Sequence, residues 1–469
     1  MSKEESELSG KDREFREFTL NGNMWKLLWK VAAPLCLYQC MGQVFGVLDS
    51  MMASSIGSNT VSAVAYIAQI NSIISAVGIG LAVGSSLKVS EAYGMGDYDL
   101  VKRRVSSLYA MCGVLSLIIL LMIPFSDGVL ALAGTPGELI EEGRIYFRLQ
   151  LFGMVLTFFN NVFISIERAR GETGLIMKLN IAVILAKTTL TALFVYGLHG
   201  DIMTMSLATI LSQLLLSAVA LVKMRRDKNA FGFSPSYVSF RRKLTRPMIV
   251  QSLPLIIERG LMSAGKLMVN SMSTVYGTTT VGALGVSNNL GGFAAAPQNG
   301  FQEGAAAVIS QNLGAGKFDR AMDAFKKILV YNIAVSLLAY GVAMGFLPQI
   351  SGMFSKKDPQ FQELIRRIFT FEAMGFVPLG INASVMAFLY GLGRTRISLI
   401  INMSRVFIFR VPVLWILQHY TNLGSESVGI VMMVSNVSVA FTALLAAALV
   451  IPKEKRRMEE LKKAAERGV

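Results

Sequence analysis

The chain has 469 residues, of which 53% are hydrophobic and only 16% charged, with a mean hydropathy of +0.52. Water-soluble domains carry about a quarter charged residues, so a string of soluble domains is excluded and an integral membrane protein is indicated. The net charge of +15 raises a nucleic-acid reading, which the placement of the basic residues removes.

The first stretch, MSKEESELSGKDREFREF, carries both signs of charge and precedes a proline-containing apolar span. Residues 1–24 are therefore expected to form a solvated cytoplasmic arm rather than a cleaved signal. Runs long enough to cross a bilayer, about 20 residues each, follow at 26–55, 60–88, 101–124, 142–166, 175–197 and 203–223. After a basic link, six more lie at 247–275, 280–312, 323–347, 362–391, 397–418 and 428–451. The expected fold is an all-α polytopic membrane protein with twelve transmembrane helices in two pseudo-symmetric six-helix bundles. The expected segments are an N-lobe (25–224), a cytoplasmic loop (225–246), a C-lobe (247–451) and a basic cytoplasmic tail (452–469).

With both termini inside, the inner loops collect Lys102, Arg103, Arg104, Lys223, Arg225, Arg226, Arg241, Arg242, Lys243, Lys317, Arg320, Arg394 and Arg396, among others. The outer loops and their borders hold only Arg144, Arg148, Lys356, Lys357, Arg366 and Arg367. This asymmetry follows the positive-inside rule, so the basic balance encodes orientation in the cell (inner) membrane and not DNA binding. Cys36, Cys40 and Cys112 fall inside spans without metal-ligand spacing and are expected as packing residues. His199 and His419 stand at loop borders and form no catalytic or metal cluster.

Sliding the sequence against itself by 220 positions brings Pro34/Pro254, Gly80/Gly300, Gly84/Gly304, Gly94/Gly314 and Gly96/Gly316 into register. A shift of 222 pairs Gly153/Gly375, Asn160/Asn382, Gly171/Gly393 and Asn180/Asn402. The halves are copies, and because each has an even number of spans the repeats are parallel, a geometry of secondary transporters whose substrate site lies between the repeats. The sequences Gly94-Met-Gly-Asp97 and Gly314-Ala-Gly-Lys317 have no preceding strand and no following GKS or GKT, so a nucleotide loop is excluded and a tight turn expected.

Three stretches then carry a resemblance: VLDSMMASSIGSNTVSAV after Pro34, GVSNNLGGFAAAPQNGFQEGAAAVISQNLGAGKFDRA in the second half, and GLGRTRISLI before the eleventh helix. At these spacings the chain resembles the multidrug and toxic compound extrusion (MATE) family of the MOP flippase superfamily, over residues 25 to 450. The resemblance implies two six-helix bundles in a V, a central cavity open alternately to either side, and export driven by proton or sodium influx.

The spans hold four acids, Asp49, Glu258, Glu303 and Glu372, and five bases, Lys187, Arg259, Lys266, Arg405 and Arg410. A charge at the bilayer centre costs roughly 2.5–3.5 kcal/mol on insertion scales, so such groups face the bundle interior or water and have partners. The resemblance makes Asp49 a coupling carboxylate. It also places Lys187 and Thr191 where the family often has Asn-x-x-x-Asp, suggesting a proton-sensitive Asp49–Lys187 pair. The seventh-helix carboxylate position of one family branch is Met262 here, with Glu258 one turn away on the same face; Glu258 is read as a coupling or cation-contacting group, or as an ion-pair partner of Arg405 or Arg410. Gln43, Met262, Asn288, Gln298, Gln302, Glu303, Asn382 and Arg405 are the expected cavity residues.

The leading expectation is an exporter of amphipathic organic cations, a small-molecule transporter and a monomer, with H+ or Na+ as coupling ion and no other cofactor. The alternative is an exporter or flippase for an anionic metabolite, such as a flavin nucleotide, or for a lipid-linked glycan, prompted by the excess of buried bases. No Ser/His pair, metal cluster or paired-carboxylate motif supports an enzyme.

Overall fold

The computed structural model describes residues 8–54, 58–132, 137–198, 200–227, 229–354 and 358–466. In chain order the first half holds α1 (Gly10–Asn21), α2 (Met24–Ser54), α3 (Ser58–Met95), α4 (Tyr98–Met122), α5 (Ser126–Leu132), α6 (Gly137–Arg170), α7 (Thr173–Ala192) and α8 (Ile202–Arg226). The second half holds α9 (Arg242–Ser273), α10 (Thr278–Gly314), α11 (Phe318–Gly345), α12 (Leu347–Phe354), α13 (Pro359–Met374), α14 (Phe376–Gly391), α15 (Thr395–Phe407), α16 (Val411–Tyr420) and α17 (Glu426–Glu466).

Among the described residues nine spans are each long and apolar enough to cross a membrane, and the pair α13–α14, bent by 41°, supplies a tenth. The helices α9 and α10, of 32 and 37 residues, complete the twelve expected from sequence. Their lower hydropathy comes from Glu258, Arg259 and Lys266 in one and from Asn288, Asn289, Gln298, Asn299, Gln302 and Glu303 in the other. Two spans in the second half are interrupted for a covalent reason. Pro378 has no N–H for the Met374 carbonyl and Pro412 has none for that of Ile408, so the helical ladder breaks just before each proline.

The chain packs as two compact units, one of Met1–Phe18 and Val44–Gly260, the other of Thr19–Gln43 and Leu261–Val469. Each unit thus contains the first part of an opening helix from the other repeat, and small residues are the reason. In the first unit a Cβ at Gly80 would stand 2.7 Å from the Ile256 nitrogen, and one at Gly84 would stand 2.5 Å from the Ser252 Cα. In the second unit a Cβ at the repeat-equivalent Gly300 would stand 2.6 Å from the Cys36 nitrogen, and one at Gly304 would stand 3.3 Å from the Ala32 Cα. Glycines four apart let two backbones touch, which drives helix association where lipid tails are as apolar as the side chains. In the first unit the Ser85 and Ser252 hydroxyls add a hydrogen bond of 3.1 Å at the crossing. The glycines of the two GxG turns adopt positive φ, 83° at Gly96 and 72° at Gly316, the left-handed conformation a side chain resists.

The helix α1 docks on the first unit through a buried ion cluster. Arg170, at the end of α6, reaches Asp12 of α1 and Asp227 beyond α8, each at 2.5 Å, while Lys223 reaches Glu167 at 2.5 Å. Arg16 donates to the Tyr93 and Gly94 carbonyls at 3.0 Å each. Asp12 is 1% and Arg170 6% exposed, so removing one partner leaves the other charged and dry. We expect Arg170→Ala to lower stability by about 3–5 kcal/mol, read as a fall in the thermal midpoint of the detergent-purified protein and as faster proteolysis within α1. An unchanged midpoint and cleavage rate would show that the cluster does not hold α1.

Candidate functional site

Inside the second unit the interrupted spans bring polar groups together. Glu372, in the last turn of α13, is 7% exposed and accepts a hydrogen bond from the Ser287 hydroxyl of α10. A Cβ at Gly291 would lie 2.5 Å from Glu372 Oε1, so only glycine leaves room for the carboxylate there. Three residues beyond Glu372, Gly375 separates α13 from α14, and the side chain of Asn436 on α17 occupies the space where a Cβ would stand.

Asn436 Oδ1 is the acceptor that two guanidiniums share, with Arg405 Nη2 at 2.7 Å and Arg410 Nη2 at 3.5 Å. Arg410 Nε also donates to Ser435 Oγ at 3.1 Å. Arg405 lies in the last turn of α15 and Arg410 is the residue before α16, so both project from the break in that span. A cation in the last turn also complements the negative end of the helix dipole. Lys266 of α9, also in this unit, is exposed and makes no direct contact with these groups. Among the described residues Lys266, Arg405, Arg410 and Glu372 form no ion pair within 4.0 Å.

The other expected cavity residues of this unit divide into two groups. Gln298 is 3% exposed, and its amide donates to Ser336 Oγ at 2.8 Å and to the Phe376 carbonyl at 3.0 Å, so it ties α10 to α11 and α14. Asn382, 7% exposed, donates to Asn402 Oδ1 at 3.3 Å, joining α14 to α15. Met262, Asn288, Gln302 and Glu303 are half-buried, while Gln43 is exposed, its amide lying against Gly292, where a Cβ would come within 2.7 Å of Oε1.

In the first unit Glu258 is buried on α9 and Lys187 half-buried on α7. Thr191, one turn beyond Lys187, is fully buried, and its hydroxyl has no hydrogen-bond partner among the described residues. The helix then loosens into a π-turn over Leu193–Gly197, a feature frequent at functional sites. The side chain of Asp49 lies outside the described residues, as does His199. Asn160 and Asn382, matched in the repeat, both sit in amide networks: Asn160 donates to Gln213 Oε1 at 2.8 Å and accepts from Ser217 at 2.9 Å. Sequence reasoning counted Glu372 and Arg410 as intramembrane charges without joining them into one site. It missed Ser435 and Asn436 entirely, since one Ser-Asn pair in a long apolar span carries no periodic signal.

Among the described residues no group of His, Cys, Asp and Glu side chains is placed to hold a metal ion. The MatE family model matches residues 34–193 and 254–416, once in each repeat and over more than half the chain. The chain belongs to the MATE family. It is a multi-pass membrane transporter, not an enzyme, and transport by this family needs no cofactor. The transporter is 22% identical over 415 residues to the probable multidrug resistance protein YoeA of Bacillus subtilis, covering 86% of this chain and 88% of that one. It is also 22% identical to the multidrug export protein MepA of Staphylococcus haemolyticus, covering 84% and 87%. A crystal structure of a MATE transporter in complex with MaL6 superposes with a TM-score of 0.90 at 20% identity, over 96% of this chain and 100% of that one. At that identity the superposition shows the fold.

Proposed function

We propose that the transporter is a secondary active exporter of amphipathic organic compounds, organic cations foremost, that exchanges them for protons by alternating access, with sodium as the second candidate ion. It lies in the cell (inner) membrane as a monomer with both termini cytoplasmic, the orientation that collects its basic loops on the inner side. Relatives whose names describe multidrug resistance and export support efflux as the direction and drugs as the cargo. Asp49, Glu258 and Lys187 are the coupling groups of this reading, Asp49 and Lys187 acting as a proton-sensitive pair.

The observation that carries the reading is Glu258. It is an acid only 8% exposed, retained inside a helix that bilayer insertion penalises for it. A carboxylate at that depth is held by a positive or hydrogen-bonding partner, and exchange requires that a proton and an organic cation compete for it. Differential affinity of drug and proton for the two arrangements of the protein then moves both against each other.

Proteoliposomes containing the purified protein, loaded with ethidium, test this directly. Efflux is expected when a pH gradient is imposed and to stop when the gradient is collapsed, with an imposed sodium gradient driving little. Efflux that follows sodium and ignores pH reassigns the coupling ion; efflux indifferent to both removes ion exchange.

A further inference from the structure

We propose that the second unit holds a binding site for an oxyanion, the carboxylate or phosphate group of a small amphipathic molecule, formed by Arg405 and Arg410 around Asn436. The two guanidinium contacts to one amide oxygen, 2.7 and 3.5 Å, hold the contacting nitrogens within about 6 Å of each other, a distance at which like charges in a protein interior repel strongly. Arg410 is 3% exposed, and Arg405 Nε is buried without an acceptor. A guanidinium has five N–H donors. Against that capacity, among the described residues, Arg405 makes one hydrogen bond and Arg410 two, all to neutral oxygens.

Glu372 does not resolve this surplus. Its carboxylate is engaged by Ser287 and seated against Gly291, and a single negative charge cannot compensate two guanidiniums. An oxyanion fits what remains, since carboxylate and phosphate alike accept two parallel N–H bonds from one guanidinium and offset the charge of its neighbour. The backbone points the same way. Both α13–α14 and α15–α16 are interrupted beside these side chains, and discontinuous helices at the middle of transporter spans are where substrate groups are held. A cation is the ligand this cluster disfavours. Organic cations and oxyanions accordingly have separate attachment points, the former at the acids of the first unit and the latter here.

The inference rests on the export reading only in taking the ligand to be a transported molecule, because binding itself needs no gradient. Titration calorimetry on the full chain in detergent, with para-nitrobenzoate, para-nitrophenyl phosphate and (para-nitrophenyl)trimethylammonium as probes, holds ligand shape constant and varies charge. At least one anion is expected to bind without displacement by the cation, and which anion binds separates carboxylate from phosphate. Arg405→Gln is expected to weaken that binding about tenfold, the value of one charge-assisted hydrogen bond, and Arg405→Lys to recover part of it. Glu372→Gln, which removes the one negative charge, is expected to tighten it about threefold or more.

Failure of both anions to bind, or binding unaltered by Arg405→Gln, overturns the proposal. So does weaker binding in Glu372→Gln, because that result makes Glu372 a partner of the ligand rather than its competitor. If Arg405→Gln does not fold, Arg405→Lys and Glu372→Gln still decide the question. Anion binding with these responses in a protein that fails the ethidium assay removes the export reading and leaves the site, whereas ethidium export without anion binding does the reverse.

Discussion

Glu258→Gln is expected to reduce proton-driven ethidium efflux about 5- to 150-fold, the range of coupling free energies between linked sites, while leaving the protein folded. The substitution preserves shape and most hydrogen-bonding capacity and deletes only the charge that a proton or an organic cation neutralises. If Glu258 instead serves as a structural ion-pair partner, its removal strands a buried base, and the thermal midpoint of the purified protein falls together with efflux. The two roles separate on this split. Lost efflux with an unmoved midpoint supports coupling, and an equal loss of both, or efflux of wild-type rate, sinks it. Asp49→Asn belongs in the same experiment. If the two acids act in one exchange, the double variant is no worse than the more damaging single one, because groups that work as a unit are not additive.

Gly84→Leu and Gly300→Leu are each expected to cost about 3 kcal/mol or more, the upper range for overpacking an interior. The reason is what the new side chain meets. At Gly84 it strikes the Ser252 Cα and nitrogen, at 2.5 and 2.8 Å, and at Gly300 the Cys36 nitrogen and Cα, at 2.6 and 2.8 Å. Backbone cannot rotate away as a side chain does, so the helices must separate and the packing that holds α9 on the first unit or α2 on the second is lost. Gly341→Ala on α11 is the control, since a Cβ there has nothing within 4 Å and exchanging glycine for alanine within a helix favours stability by about 0.5–1 kcal/mol. Thermal unfolding in detergent reads all three. Midpoints of the two leucine variants close to that of Gly341→Ala would show that these crossings do not carry the packing.

How much was legible in the sequence follows from which interactions leave a local trace. Ten of the twelve spans were legible because a bilayer demands about 20 apolar residues of every crossing, and α9 and α10, diluted by charged and amide side chains, through their repeat match to α2 and α3. The duplication was legible because glycines at turns and crossings are chemically irreplaceable and stay in register, as Gly80/Gly300 and Gly96/Gly316 do. The presence of intramembrane charges could likewise be read directly, since each is conspicuous against its apolar surroundings.

Partnership could not be read in the same way. That Gly84 faces Ser252 and Gly300 faces Cys36, so that each compact unit contains part of the other repeat's first helix, depends on which surfaces meet across more than 160 residues of chain in one case and more than 260 in the other. Hydropathy is the same for either arrangement. Arg405 and Arg410 converge on Asn436 because Pro412 breaks their span and Gly375 makes room on the neighbouring one. Those two causes are local, but their coincidence at one point of the interior is set by packing. The sequence by itself therefore determined that this is a duplicated, twelve-span MATE-type chain with costly buried charges. The tertiary structure alone decided which of those charges share a site, because a charge announces its own burial cost to the bilayer but not the identity of its neighbours.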